Sequence, residues 1–274
     1  EGERNIYIGY KSGYGETAGT QNTGYSNIGL GYATLRYNTS GSRNVAIGDY
    51  SLYLNTSGHR NTAVGAYALK GNSTGYRNVA VGTDALISVD ASNNTAVGDA
   101  AGYYLSSGAD NTLIGRAAMF YNETGSNNVV VGSFAGFGQS GNNQANNVYI
   151  GVEAGKNNIG SGNVLIGYQA GYNETGSNKL YIENSDSSSP LIYGEFDNDI
   201  VTINGTLGIA DTSPDSALEV VSSGDDYFMI SSSPDLDGNI LIVDSAGNVG
   251  IGTTSPSVGP DTKLHVSGTS ATDV

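Results

Sequence analysis

Paired acidic residues in the last third of the chain are the first residues whose type and spacing could support chemistry. Asp225 and Asp226 are adjacent, and Asp235, Asp237 and Asn239 alternate in a segment expected to be a loop. This alternation is similar to the start of a calcium-binding loop, although the bidentate acid required later in such a loop is missing. Asp235, Asp237 and Asn239 are therefore candidate ligands for a divalent cation such as Ca²⁺, while solvated surface is the interpretation that we favour.

A basic column is the second set of residues that could bind a ligand. Its arginines each stand directly before an asparagine of a recurring five-residue unit. In stacked repeats they would form a partly aromatic stripe able to contact acidic glycans or a cell-surface polymer. The interpretation that we favour is that they bond to carbonyl groups or acids of neighbouring subunits. The members of the column are Arg43, Arg60 and Arg77, with His59 and Tyr76 alongside.

Most catalytic chemistries lack the residues that they need. The chain has no cysteine, and its two histidines, His59 and His265, are far apart in the sequence. Thiol catalysis and cysteine-ligated metals are therefore excluded, and little remains for a histidine-based site. Nothing in the sequence places two carboxylates across a cleft, as glycoside hydrolysis requires. We predict that the chain is not an enzyme and binds no cofactor apart from the candidate cation.

The composition is rich in glycine and tyrosine: of 274 residues, 41 are Gly and 19 are Tyr, and only 14% are charged. The glycines follow no Gly-X-Y period, which excludes collagen, and regular aliphatic positions argue against disorder. No apolar run has the length of a transmembrane helix, and no signal peptide is recognisable, so membrane insertion is not expected. An exported chain without cysteine must obtain its stability from repetition or oligomerisation.

Negative charge is concentrated towards the end of the sequence. Residues 1–182 hold eleven acidic and ten basic residues, whereas residues 183–274 hold fifteen acidic residues and a single basic one, Lys263. Nucleic acid is not an expected partner, because little would neutralise its phosphates. Copies of the acidic segment would repel one another, which favours counter-ions or divalent cations there.

A five-residue unit, Asn-x-x-aliphatic-Gly, recurs along the first two thirds of the chain, mostly at intervals of 16 or 17 residues. Ten copies keep the pattern, and we place a degenerate eleventh at Asn178, with Glu183 in place of the glycine. The ten copies begin at Asn5, Asn27, Asn44, Asn61, Asn78, Asn94, Asn111, Asn128, Asn147 and Asn163.

The columns of this alignment predict the local structure. The second position is always β-branched and the fourth always aliphatic, so each copy predicts a short strand with one apolar face, expected to point inward. The glycine is expected at positive φ, and the asparagines are expected to stack and hydrogen-bond at a corner. The central ladder residues are Asn44, Asn61, Asn78, Asn94, Asn111 and Asn128, with Gly48, Gly65, Gly82, Gly98, Gly115 and Gly132.

A unit of this length fits one coil of a parallel β-solenoid with two short strands. We therefore predict an all-β fold in which about eleven coils over residues 1–183 form a rod about 50 Å long. Each coil buries little by itself, so the ends must be capped or continued. A thin coil also gives a single chain a poor core, which favours several chains packed side by side.

The repeat units at residues 44–48, 61–65 and 78–82, each followed by a small residue three positions on, resemble the head repeat of YadA-like trimeric autotransporter adhesins. The resemblance covers residues 5–183. It implies a left-handed parallel β-roll built from three identical chains. The coils of this chain are longer and richer in tyrosine than the head repeat.

Residues 184–274 are expected to form a separate acidic, β-rich tail of small modules. Residues 177–184, 190–196, 247–256 and 263–266 resemble segments of phage-type tail fibres and of large bacterial surface proteins. Such segments commonly precede an intramolecular chaperone that cleaves itself off after trimerisation, and none is recognisable in this sequence. From the residues alone we predict strands at 199–203, 217–221, 227–230 and 239–243.

Both resemblances imply a homotrimeric extracellular fibre, on a virion tail or a cell surface, that binds a receptor or a polysaccharide. The alternative is a structural filament in which rods join end to end through open β-edges. A polysaccharide-active enzyme is disfavoured, because it would need clustered acids or bases on adjacent coils. Ice binding is also disfavoured, because Thr62, Thr95 and Thr112 are expected to face inward.

Two further residue types remain open to interpretation. Asparagines that begin Asn-x-Ser/Thr sequences are interpreted as turn residues rather than as glycan sites; they are Asn38, Asn55, Asn72, Asn122 and Asn173. Several tyrosines could stack on sugars if exposed or could lie at chain interfaces; they include Tyr53, Tyr67, Tyr103, Tyr104 and Tyr121.

Overall fold

The computed structural model describes residues 3–15, 22–141, 143–209, 218–220, 226–231, 239–244, 249–251 and 264–266. Every regular element in these residues is a β-strand, which confirms the all-β class. The chain divides into two compact units, Glu1–Asn204 and Gly205–Val274.

The first unit contains one sheet of thirteen strands that lie side by side in chain order. Strands β1 to β11 run parallel, each in register with the next, and β12 and β13 are added antiparallel. The strands are β1 Ile6–Ile8, β2 Ile28–Leu30, β3 Val45–Ile47, β4 Thr62–Val64, β5 Val79–Val81, β6 Thr95–Val97, β7 Thr112–Ile114, β8 Val129–Val131, β9 Val148–Ile150, β10 Val164–Ile166, β11 Lys179–Ile182, β12 Ile192–Glu195 and β13 Ile200–Ile203.

The parallel strands form the wall of a β-solenoid of about nine turns, fewer than the eleven coils expected from the sequence. Ten of the eleven lie at the ten well-kept copies of the repeat, which confirms the repeat as the structural unit. The eleventh copy was misplaced by one residue. Leu180 pairs with Val164 and Ile182 with Ile166, so Lys179, not Asn178, occupies the asparagine position. The sheet also continues past Glu183 into β12 and β13.

Each turn has one strand, not the two that were expected. On the second side, left-handed residues alternate with right-handed ones, as at Tyr50 (φ 59°) and Leu52 (φ 48°). This backbone is not extended, yet it still bonds between coils, since the Leu52 N–H donates to the Ala68 carbonyl at 3.0 Å. The glycine turn and the small column allow the chain to turn back beside the strand. The N–H groups of the second side are then hydrogen-bonded to neighbouring coils although no strand forms.

The expected direction of the apolar strand face was also wrong. The middle residue of each repeat strand points inward, as Ala46, Ala63 and Ala80 do with no exposed surface. The flanking second and fourth residues point outward. The side chains take these directions because the interior of the coil is narrow. The strand lies so close to the opposite side that the interior accepts one side chain per strand. Thr62, for example, faces outward with Val64.

The interior is filled by pairs of complementary size. In several coils the strand contributes a small residue such as Ala63 and the second side contributes a leucine such as Leu69, and both are fully buried. In several others the strand contributes a large residue and the second side has glycine. A Cβ on Gly136 would come within 2.7 Å of the Tyr149 ring. The small column, including Ala68 and its equivalents, lies between them, so each coil keeps a close-packed core.

The second unit contains two small sheets. β14 (Leu207–Ile209) pairs parallel with β15 (Leu218–Val220), while β16 (Asp226–Ser231), β17 (Asn239–Asp244), β18 (Val249–Ile251) and β19 (Leu264–Val266) follow one another in the second sheet. The strands predicted at 199–203, 217–221, 227–230 and 239–243 coincide with β13, β15, β16 and β17. No helix able to cross a membrane occurs in the part of the chain that the structure describes.

Candidate functional surfaces

The asparagine ladder holds the corner at which each strand begins. The Asn44 backbone N–H donates to Asn27 Oδ1 at 3.0 Å, and Asn44 Nδ2 donates to the Gly58 carbonyl at 2.9 Å. The backbone contact repeats between successive coils from Asn5 onward and ends where the Lys179 N–H donates to Asn163 Oδ1 at 2.8 Å. The ladder predicted from the sequence is confirmed. Its role is structural, because the asparagine atoms are occupied and Asn44 has no exposed surface.

The repeat glycines are required by two independent constraints. Their φ angles lie between 115° and 147° at Gly48, Gly65, Gly82, Gly98, Gly115 and Gly132. A Cβ on Gly65 would also lie 2.4 Å from the carbonyl oxygen of Gly82 in the next coil. The positive φ expected from the sequence is confirmed, and the close approach explains why no other residue occupies this column in the ten well-kept copies.

A second asparagine ladder occupies three of the sites that match the glycosylation pattern. Asn38, Asn55 and Asn72 have no exposed surface, and Nδ2 of each later residue donates to Oδ1 of the one before, at 2.7 and 3.0 Å. Asn122 is also buried, whereas Asn173 is exposed. The turn interpretation therefore holds for the buried four. Their regular spacing was the signal that could have identified this ladder.

An outer apolar face covers the sheet on the side away from the core. It consists of the second and fourth residues of the repeat strands, and all of them are aliphatic except Thr62, Thr95 and Thr112. Exposure reaches 59% at Ile8, 38% at Val97 and 40% at Ile114. Eleven strands about 4.8 Å apart extend this face over roughly 50 Å. A continuous apolar surface of this kind is typical of a site where another molecule packs.

The basic column of the sequence is brought together by the structure. Arg43, Arg60 and Arg77 lie at the same corner of three successive coils, each with a left-handed backbone near φ 60°. Their N–H groups donate to carbonyls of the coil before, those of Tyr25, Ser42 and His59, at 2.9 to 3.1 Å. All three side chains are exposed. We call Arg43, Arg60 and Arg77 the arginine stripe.

Aromatic rings stand beside the arginine stripe. The Arg43 guanidinium lies 5.5 Å from the ring centre of Tyr25, and that of Arg77 lies 5.6 Å from the ring centre of Tyr76. The rings of His59 and Tyr76 stack 5.1 Å apart at 6°. The structure therefore places all five residues of the predicted contact surface together.

Other tyrosines form stacked rows on the second side of the solenoid. Tyr50 and Tyr67 stack with ring centres 5.3 Å apart, and Tyr104 and Tyr121 stack at 5.2 Å. Each of these rings has one face covered by its stacked neighbour, while Tyr67 and Tyr104 remain 36% and 42% exposed. Stacking therefore holds the rings in rows and leaves exposed ring surface on which a sugar or another chain could pack.

One carboxylate of the first unit, Glu174, lies at a cavity and is hydrogen-bonded to its neighbours. A cavity of about 250 Å³ is lined by Glu174, Tyr181 and Asp186 among others. Glu174 accepts hydrogen bonds from the Tyr181 hydroxyl and the Gly176 N–H. Burial and then the bond to Glu174 raise the pKa of Tyr181, so the hydroxyl stays protonated at neutral pH. This arrangement provides no free acid–base pair.

Metal binding has no support within the described ranges, where no three acidic or histidine side chains are grouped around one point. The candidate cation ligands Asp235 and Asp237 lie outside the described residues, and so does Asp225. Asn239 begins β17.

A charged cluster ties the antiparallel strands to the solenoid. Lys179 on β11 lies 3.0 Å from Glu195 on β12, and Glu195 also accepts bonds from Tyr193 and Asn198. The Tyr193 hydroxyl, then Asn198 and Lys179, lower the pKa of Glu195 to about 2. Sequence reasoning missed this cluster, because its members are brought together only by the β11–β12 register.

Comparison with known proteins found no family model, no curated protein and no solved structure that matches this chain at the significance required.

Proposed function

We propose that this chain is a subunit of a homotrimeric extracellular fibre, of the tail-fibre or surface-adhesin type, with a structural and adhesive role. The observation that carries the proposal is the outer apolar face. An exposed surface of valine, isoleucine and leucine side chains is stabilised by removal from water, at about 25 cal/mol for each Å² of apolar area. A second and a third copy of the same chain supply matching faces.

The geometry of the face favours association of identical chains. Its two rows are straight and regular because the strands are in register, so a copy of the chain can lie along the whole row. Identical faces arranged around an axis close on themselves and leave no open apolar surface. The number three is taken from the resemblance to trimeric adhesin heads, and the closed arrangement supports it.

The adhesive half of the proposal rests on the arginine stripe and on the two resemblances. A trimer that hides its apolar faces leaves charged corners as the surfaces available to a receptor or polysaccharide. At the cavity of the first unit, Glu174 is occupied by hydrogen bonds from Tyr181 and Gly176, which favours this binding role over catalysis there. Extracellular location is part of the proposal and rests on the two resemblances. Stability from repetition would serve an exported chain that has no cysteine.

The mass of the native protein in solution tests the proposal. Sedimentation equilibrium is expected to give three times the chain mass of 28.1 kDa. Val97→Lys places a charge in the middle of the outer apolar face and is expected to shift the mass towards that of one chain. Ser88→Lys is the matched control, since Ser88 is exposed outside the sheet. A single-chain mass for the wild-type protein contradicts the proposal.

A structural filament is a second candidate, favoured by β13 at the end of the sheet. All four of its residues are exposed, with Val201 at 69%, and an exposed terminal strand is a template for pairing with another chain. Electron microscopy at high protein concentration is expected to show rods joined at their ends if this function is correct. Rods that remain separate contradict it.

Ice binding remains disfavoured, for a different reason from the one given by the sequence. Thr62, Thr95 and Thr112 do face outward, on β4, β6 and β7. They occupy only one of the two rows, however, and the other row is aliphatic in every coil. The face therefore lacks a paired threonine array.

A further inference from the structure

The arginine stripe lies beside a shallow pocket that spans three successive coils. The pocket has a volume of about 270 Å³ and is lined by Tyr25, Ser40, Ser42, Arg43, Ser57, His59 and Arg60. Hydroxyl groups and two guanidinium groups therefore surround one opening. This set of donors contains no acidic side chain and is suited to an anion.

The positive charges of the stripe are not neutralised within the described parts of the chain. No ion pair joins Arg43, Arg60 or Arg77 to a carboxylate there. The nearest acid in the same column is Asp110, two coils beyond Arg77. Aromatic rings hold two of the guanidinium groups without removing their charge or their hydrogen-bond donors.

The spacing of the stripe specifies the form of the ligand. Successive coils are about 4.8 Å apart, so the three arginines extend over roughly 10 Å along the stacking direction. An isolated small anion would contact only one pocket. A linear polymer with an acidic group on each successive sugar ring would contact all three arginines at once, and each contact would strengthen the others.

We propose that the arginine stripe binds the carboxylate or sulfate groups of a linear acidic polysaccharide. This inference rests on the adhesive function proposed above and names its ligand class. The backbone of all three arginines is held by bonds to the preceding coil, and aromatic rings lie against the guanidinium groups of Arg43 and Arg77. These contacts restrict the stripe before the polymer arrives. Preorganised donors lose less entropy on binding.

Single-stranded nucleic acid fits the stripe less well. Bases bind such proteins by stacking on open aromatic faces, whereas one face of Tyr76 is covered by His59 at 5.1 Å.

Binding to immobilised heparin and polygalacturonate tests the proposal, with dextran and single-stranded DNA as comparison ligands. The stripe variant combines Arg43→Gln, Arg60→Gln and Arg77→Gln. The control variant combines Lys11→Gln, Lys70→Gln and Arg116→Gln, which removes the same charge from outside the stripe. The wild type and the control are expected to bind at least one acidic polysaccharide, in a salt-dependent manner, and the stripe variant is expected to bind at least tenfold more weakly.

Four outcomes of the binding measurements overturn the inference: no binding of either acidic polysaccharide by the wild type, equal losses in the two triple variants, equal or tighter binding of dextran, or stripe-dependent binding of DNA that exceeds polysaccharide binding. The sedimentation mass of each protein separates this inference from the proposed fibre. A stripe variant that loses the trimeric mass shows that the arginines join chains, and this also overturns the inference. A wild-type protein of single-chain mass that still binds through the stripe contradicts the trimer alone.

Discussion

At the scale of single residues, the asparagine ladder depends on a side chain that both donates and accepts. Asn94 Oδ1 accepts the Asn111 N–H at 3.1 Å, while Asn94 Nδ2 donates to the Gly108 carbonyl at 2.9 Å. An aspartate has the same shape but offers no donor when ionised. A column of ionised aspartates would also place like charges in successive coils, which explains why the buried ladder is built from amides.

Asn94→Asp is expected to lower the free energy of unfolding by roughly 3 kcal/mol, because a buried carboxylate would face the Gly108 carbonyl without a proton to donate. Denaturant unfolding followed by circular dichroism measures the change. Asn93→Asp is the matched control, since Asn93 is exposed and immediately adjacent. Equal destabilisation by the two substitutions would show that the ladder is not selective for the amide.

Residue columns that require one chemical group were predictable from the sequence. The repeat asparagine and glycine recur because each satisfies a constraint that other residues fail, such as the contact between Gly65 and the Gly82 carbonyl. The arginine stripe was also predictable as a column. Its pocket was not, because Ser40 and Ser57 come from turns whose path the repeat does not specify.

At the scale of the strand and the turn, the direction of the side chains was the main error. Alternation along a strand identifies two faces but does not say which of them is inside. Bulky aliphatic residues are usually interior, which led to the inward expectation. The distinguishing signal was the complementary size of the buried pairs, such as Ala63 with Leu69 and Tyr149 with Gly136, since residues that share one space must compensate in volume.

Two buried side chains of one turn are expected to compensate for each other in volume. This can be tested by enlarging the small one and shortening the large one. Ala63→Leu alone is expected to lower the free energy of unfolding by about 1–3 kcal/mol, because the interior is already filled. Adding Leu69→Gly is expected to restore part of this loss, since glycine also accepts the positive φ of 52° at that position. A double-mutant cycle measures the coupling. Additive effects of the two substitutions would contradict a shared space.

The cluster around Glu195 predicts a pH dependence for the β11–β12 contact. Its pKa is lowered to about 2 in the folded chain, below the value of about 4.3 for an unperturbed glutamate. The carboxylate therefore contributes its stabilisation above about pH 4.3, and this contribution decreases as the pH falls towards 2. The wild type is expected to be more stable than Glu195→Gln at pH 7 and to lose that advantage in acid. Denaturation midpoints between pH 2 and 7 measure it, and a pH-independent difference would contradict it.

At the scale of the molecule, the solenoid transmits structure only between neighbouring coils. Each strand pairs with the strand before and the strand after it, and the ladder atoms bridge adjacent coils. Stability is then approximately a sum of similar coil terms and coil–coil terms. The area of the outer apolar face also grows with each added coil. A longer solenoid therefore offers a surface for association that is proportional to its number of coils. Packing between chains stays a prediction of the sequence, and the surface proposed for it could not be predicted, because that surface depends on the side-chain direction.

This additivity predicts that one whole turn can be removed. Deleting residues 61–77 joins Arg60 to Asn78, so arginine still precedes the ladder asparagine, and Val79 is placed to pair with Val45 through the register that Thr62 had. The shortened chain is expected to keep its β-sheet circular dichroism and cooperative unfolding, with a modest decrease in stability. Deleting residues 61–68 is the control, because it removes a strand but keeps the second half of the turn. That control is expected to lose the folded signal, and equal behaviour of the two deletions would contradict a solenoid built from interchangeable coils.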